Sequence, residues 1–175
     1  MDSNKNELNE RLLNPVENID SIKGFEIITE SLVYKVYDVF GRNSLLSILY
    51  QTGAFPGTII AERIKEEYIK EDLEIVEALI ILTDELKDFY SIQIRDIEQF
   101  DDRYRIVIEN HCFLRKTIKN RAKLKFGKAL CRINKGYFET AFKKLLGNKI
   151  KKVEINFLEN DAEKDACVEE LNFYL

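Results

Sequence analysis

The stretch CRINKGYFETAFKKLLGNKIKKVEINFLENDAEKDACVEELNFYL, Cys131 to Leu175, carries the architecture in miniature. Its first part sets Ile133, Tyr137, Phe138, Ala141, Phe142, Leu145 and Leu146 at helical spacing and stops at Gly147, so the spacing predicts a helix. Val153, Ile155 and Phe157 then alternate with Lys152, Glu154 and Asn156, the period of a half-buried strand. A polar loop from Glu159 to Asp165 leads to Cys167 and a last alternating run, Leu171 to Leu175. The chain is therefore expected to end helix, strand, hairpin, strand, with one cysteine opening the helix and another opening the final strand.

Upstream, Ser91 to Ile97 alternates Ile92 and Ile94 with polar neighbours, and Tyr104, Ile106 and Ile108 alternate again after a turn at Gln99 to Asp102. Four strands in two hairpins make a mostly antiparallel sheet whose apolar face needs a helical cover. Gly24 to Thr29 reads as a short strand, and Ser31 to Phe40 as a helix closed by Gly41. Asn43 can cap a second helix that Gly53 stops, Pro56 can open a third carrying Ile59, Ile60, Ile64 and Tyr68, and Asp72 to Tyr90 forms a fourth. The expected fold is α+β, about four strands packed against a layer of about five helices. Residues 1–20, rich in Asn, Glu and Asp with one short apolar cluster at Leu12 and Leu13, are expected to form a partly ordered arm before a single domain over 21–175.

The length of 175 residues suits one domain with a proper core, and a net charge of −4 gives no overall attraction to nucleic acid or anionic membranes. No leader is visible in the polar start, and no apolar run reaches the ~18 residues of a membrane span, so a cytoplasmic protein is expected. In a reducing compartment three cysteines point to free thiols, a metal site or redox work rather than structural disulfides. Arg115 to Lys128 holds seven cations and no acid, with Phe113 and Phe126 interleaved; it reads either as a phosphate or nucleic-acid site or, preferred here, as a solvated face. The seven glycines form no phosphate-cradling loop and no dinucleotide fingerprint. His111 and Cys112 are neighbours on a strand and face opposite ways, which disfavours a nucleophilic Cys–His pair; thiolate and imidazole do suit zinc.

Taken together, Cys131, Gly136, the helix, the Gly147 turn, the Val153-Glu154 strand, the acidic loop and Cys167 resemble the 4-vinyl-reductase domain family. The apolar segment Leu45 to Tyr50 running into Gly53 and Gly57 agrees with that family's helix and Gly-x-x-x-Gly turn. The resemblance runs from about Gly24 onward. It implies a small-molecule-binding α+β domain related in fold to vesicle-tethering TRAPP subunits, and it implies a homodimer. In the phenol-sensing members three cysteines and a glutamate hold zinc; Cys131, Glu154 and Cys167 stand at matching positions, Phe157 stands where the remaining cysteine falls, and the loop to Cys167 is longer. Cys112, or His111 beside it, is the candidate to fill that place. The other reading makes Cys131 and Cys167 small buried apolar residues and Glu154 a solvent-facing strand residue.

A site for a hydrophobic ligand should be concave and apolar with few polar groups. Tyr50, Phe55, Phe89, Tyr90, Phe126 and Tyr137, near helix ends and junctions, are its candidate lining, with plain core as the competing role. Tryptophan, one residue type common in phenol-type pockets, is absent beside 11 Phe and 8 Tyr. The function expected is a sensory domain for a small hydrophobic or aromatic molecule, organised by zinc, whose occupancy is passed to a partner or dimer mate. No hydride-transfer cofactor motif is present, so the reading is of a binding domain and not an enzyme. A structural adaptor without ligand and a thiol redox sensor using Cys112, Cys131 and Cys167 are the alternatives.

Overall fold

The computed structural model describes residues 6–7, 9–10, 21–68, 73–114, 127–161 and 166–175. Most of the arm, the basic segment 115–126 including Phe126, and part of the acidic loop lie outside them. Helix α1 (Ser21–Tyr68) leads, followed by α2 (Ile75–Glu85), strands β1 (Tyr90–Gln99) and β2 (Arg103–Cys112), α3 (Gly127–Leu146), a 3-10 turn (Gly147–Lys149), and strands β3 (Lys152–Asp161) and β4 (Ala166–Tyr174). The α+β class and the four-stranded sheet stand. The layer of about five helices does not, since three helices are described in full.

The difference lies in α1, which absorbs four expected elements, one strand and three helices. Gly24 to Thr29 is helical, not a strand, and the helix runs on through Gly53, Pro56 and Gly57. It breaks only at Gly41, which takes φ 76 and ψ 178, a left-handed φ open to glycine at no steric cost. That break divides the chain into two compact units, Met1–Gly41 and Arg42–Leu175. The fourth helix is also shorter than expected: it starts at Ile75, ends at Glu85, and Tyr90 already belongs to β1.

Gly53 and Gly57 fail to stop α1 because they are contact positions. Between Arg42 and Ala61 the buried residues fall at every fourth place, Leu45, Leu49, Gly53, Gly57 and Ala61, a single ridge along the helix. A Cβ on Gly53 would lie 1.9 Å from the Ile133 carbonyl oxygen, one on Gly57 2.3 Å from that of Tyr137, and one on Gly136 2.0 Å from that of Tyr50. The three glycines let the backbones of α1 and α3 touch. Thr52 and Thr58 turn their hydroxyls back onto the Ile48 and Ala54 carbonyls, so these polar side chains cause no loss within the helix.

The sheet order is β1-β2-β4-β3, with every neighbour antiparallel. Ile106 and Ile108 of β2, Leu171 and Phe173 of β4 and Ile155 of β3 are fully buried, together with Phe138 and Phe142 of α3 and Leu79 and Leu82 of α2. Phe142 contacts the rings of Phe138 and Phe173 at 6.2 and 5.1 Å. The other face of the sheet is charged: Arg105 binds Glu170 and Glu98 at 2.6 and 2.7 Å, and Arg95 binds Glu109. Alternation alone thus sorts β2 and β4 into a core side and an ionic side.

Candidate functional site: a buried thiol and carboxylate cluster

At one end of the core face the side chains turn from apolar to polar. Asn110 and Cys112 are two apart on β2, and Cys167 and Glu169 two apart on β4, so each pair points the same way. Register completes the grouping, because Asn110 pairs with Cys167, Ile108 with Glu169, and Tyr90 of β1 with Cys112. Cys131 and Asn134, one helical turn apart, bring α3 over them. The seven residues Tyr90, Asn110, Cys112, Cys131, Asn134, Cys167 and Glu169 are all buried, Glu169 to 1% exposure.

The hydrogen bonds form two chains. The Tyr90 hydroxyl donates to Asn134 Oδ1 at 3.0 Å, and Asn134 in turn hydrogen-bonds Cys112. Asn110 Nδ2 donates to Glu169 Oε1 at 3.0 Å, while Cys131 and Cys167 hydrogen-bond each other. None of the three cysteines forms a disulfide. Two buried oxygens have no partner, Glu169 Oε2 and Asn110 Oδ1, and both are acceptors. A buried unmade hydrogen bond costs about 1 to 3 kcal/mol.

Crowding sets the protonation. Burial, aided by the nearby Cys167 and opposed by the Asn110 bond, pushes the Glu169 carboxyl up to about 7. The bond to Cys167 and then burial raise the Cys131 thiol, with Cys112 and Glu169 adding to the effect; burial raises Cys112. The reactive form of cysteine is the thiolate, and these two are held as thiols. Replacing Tyr90 by Phe should strand Asn134 Oδ1 and lower unfolding stability by about 1 to 3 kcal/mol, which denaturant titration would measure.

Of the five residues expected at a metal site, Cys112, Cys131 and Cys167 come together here and two do not. His111 projects from the other side of β2, with Nε2 3.1 Å from Glu109 Oε1. Glu154 pairs in register with Asn172, accepts from the Tyr174 hydroxyl at 3.0 Å and bridges to Lys152 at 3.2 Å; Lys152 before Tyr174 holds its carboxyl below the ordinary range. Phe157 stands directly across from Glu169. Among the described residues no group of three His, Cys, Asp or Glu side chains is placed to hold a metal ion. Glu169, Asn110 and Asn134 were not among the sequence candidates. The signal for Glu169 was an acid in phase with Cys167, Leu171 and Phe173.

The expected pocket lining separates too. Phe89, Tyr90 and Tyr137 belong to one aromatic chain: Phe113 meets Phe89 at 5.9 Å and Tyr90 at 5.7 Å, and Tyr90 meets Tyr137 at 6.4 Å and Phe138 at 5.1 Å. Phe89 and Phe113 are exposed and Tyr90 is buried beside Asn134, so the chain runs from solvent to the polar cluster. Tyr50 lies elsewhere. Its hydroxyl donates to Glu139 Oε2 at 2.9 Å in an open hollow of about 360 Å³ lined by Lys143, Lys144, Lys151 and Lys152. Burial, then Glu139, pushes the Tyr50 hydroxyl up to about 12. Phe55 is 73% exposed and lines neither place.

Fold and site together define an α+β domain in which one helix closes a buried thiol and carboxylate group against an antiparallel sheet. No protein-family description and no curated protein matches the chain. Its fold is shared by a number of solved structures, two of which are described. One is the phenol-responsive sensory domain of the transcription activator PoxR with phenol, at TM-score 0.62 and 12% identity over 85% of this chain and 74% of that one. The other is trafficking protein particle complex subunit 3 from Naegleria fowleri, covalently bound to palmitic acid, at TM-score 0.52 and 16% identity over 86% of this chain and 93% of that one. Identities this low establish a shared fold, and the pair agrees with the fold relation that the sequence resemblance implied. Among the described residues no helix is long and apolar enough to cross a membrane.

Proposed function

We propose that this chain is a sensory domain that binds a small aromatic or otherwise apolar molecule and passes its occupancy to a dimer mate or another protein. The observation that carries the reading is the aromatic chain from exposed Phe89 and Phe113 through Tyr90 and Tyr137, ending at a polar group beneath α3. Ligand sites combine such apolar walls with a few polar groups that fix orientation. The likeness to a phenol-responsive domain supports it at the level of fold. A molecule that prefers the arrangement with α3 closed on the sheet shifts the population toward it.

Zinc is the proposed organiser of the closed arrangement. Cys131 and Cys167 would hold it, with Cys112 from β2 in the place that the family cysteine would take, and its chemistry would be structural: cross-linking α3 to the sheet. What supports it is the burial of the three thiols that α3, β2 and β4 carry at this end of the core. The redox alternative is the less favoured one, because burial holds back ionisation of Cys112, and the bond to Cys167 together with burial holds back that of Cys131.

Thermal unfolding with phenol, 4-ethylphenol or palmitic acid tests the reading. A phenol at 100 times its dissociation constant should add about 2.7 kcal/mol, a shift of several degrees. Tyr137→Ala should abolish the shift. No response to either phenol would sink the proposal, and a response to palmitic acid alone would replace it with acyl-chain binding. Native mass spectrometry of the same preparation should show zinc and a dimer. A protein-binding module is the second reading, favoured by Ile22, Phe25, Leu32 and Phe40, all largely exposed on the 21–41 part of α1.

A further inference from the structure

We infer that the hollow between α1, the C-terminal half of α3 and the start of β3 binds a phosphate-class anion, a phosphate ester or diphosphate carried by a small molecule or a lipid headgroup, through Lys143, Lys144, Lys151 and Lys152. The site shares no residue with the aromatic chain of the proposed function and does not rest on that reading.

Between Glu139 and Glu154 the chain carries five lysines and no acid. The fold bends that run around one concave surface. Lys143 and Lys144 stand in the last turn of α3, Gly147 turns the chain with a left-handed φ of 55, and Lys151 and Lys152 lead into β3 on the same hollow as Tyr50 of α1. Like charges gathered in this way repel one another, and a cleft lined by one sign of charge concentrates the field on whatever enters it. The volume of about 360 Å³ is that of a small-molecule site.

The acids nearby leave the hollow positive. Glu139, the one acid in its lining, is committed on both oxygens: Oε1 accepts from the Ile155 N–H at 2.8 Å and pairs with Lys135 at 3.3 Å, and Oε2 accepts from Tyr50, which is itself hydrogen-bonded by Thr140. Lys144 meets Glu62 at 3.3 Å and Lys152 meets Glu154 at 3.2 Å, both in solvent-exposed pairs of the weak kind that a multiply charged anion can displace. Lys143 donates to the Gly147 and Ile150 carbonyls, which offsets the negative end of α3 where it would repel an anion. Lys151 forms no ion pair among the described residues. The lining holds lysines and no arginine, so recognition is by mobile point charges, which suit a tetrahedral oxyanion approached from several sides. Four lysines against one glutamate leave a surplus of three positive charges (4 − 1), which favours a multiply charged phosphate over a single carboxylate.

The test titrates the full chain with inorganic diphosphate at fixed ionic strength in a calorimeter and, in a second arm, sediments it with phosphatidylcholine vesicles made with and without phosphatidic acid. Binding of diphosphate identifies a soluble phosphate ligand, and capture by the phosphatidic acid vesicles alone identifies a lipid headgroup. In whichever arm responds, Lys144→Gln and Lys151→Gln should each weaken binding by about threefold to tenfold, and the double variant by more. Both side chains are exposed, so near-UV circular dichroism should stay native. Lys149→Gln is the control, because that ammonium pairs with Glu74 at 2.6 Å and lies outside the lining; its binding should equal wild type. Absence of binding in both arms refutes the site. A loss in Lys149→Gln as large as that in Lys151→Gln refutes it too, and reduces the lysines to a general basic surface. The thermal shift with phenol, read on the same variants, should stay at its wild-type value, so failure here and failure of the sensory reading are seen separately.

Discussion

Gly53→Ala should destabilise the protein by about 3 kcal/mol or more, against the ordinary sign of a glycine-to-alanine change within a helix. Alanine is the better helix former by roughly 1 kcal/mol, so local propensity alone forecasts a gain. The added methyl, however, would lie 1.9 Å from the Ile133 carbonyl oxygen and 2.7 Å from its carbon, both backbone atoms that no rotamer change can move aside. The helices must part, and the ridge Leu45, Leu49 and Ala61 loses its packing with them. Gly136→Ala should behave alike, since its Cβ would meet the Tyr50 carbonyl oxygen at 2.0 Å. Gly24→Ala supplies the contrast: helical backbone with nothing within 4 Å of the new Cβ, where a gain of up to about 1 kcal/mol is expected. Urea unfolding of the three variants decides it, and equal gains at all three positions would refute the close helix contact.

Phe142→Ala should cost about 3 to 5 kcal/mol, or on the order of 10 °C in melting temperature for a chain of this size. Phe142 is fully buried between Phe138 and Phe173, so truncation removes the side chain linking α3 to β4 and leaves a cavity walled by rings that cannot close it. Phe89→Ala, at the exposed end of the aromatic chain, should cost little stability while weakening phenol binding. Calorimetry of the two variants with and without phenol separates packing from ligand contact. Loss of stability without loss of binding in Phe89→Ala would leave the proposed aromatic site without its outer wall.

Periodicity is the part of this fold that the residues announce unaided. Alternation in Ser91 to Ile97, Tyr104 to Ile108, Val153 to Phe157 and Leu171 to Leu175 was enough for a four-stranded antiparallel sheet, and helical spacing after Cys131 was enough for α3, because side-chain direction repeats every two or about 3.6 residues whatever the partner. Which faces meet is a matter of long-range packing. Gly53 and Pro56 carry the local marks of a stop and a start, yet one helix crosses both, since burying a small-residue ridge against Gly136 outweighs their poor propensity. The same holds at the candidate site. Glu154 has the right spacing from Cys131 but points to the ionic side of the sheet, and Glu169 reaches the thiols because strand register, set by long-range pairing, places Cys167 beside Asn110 and Glu169 on the core face beneath α3.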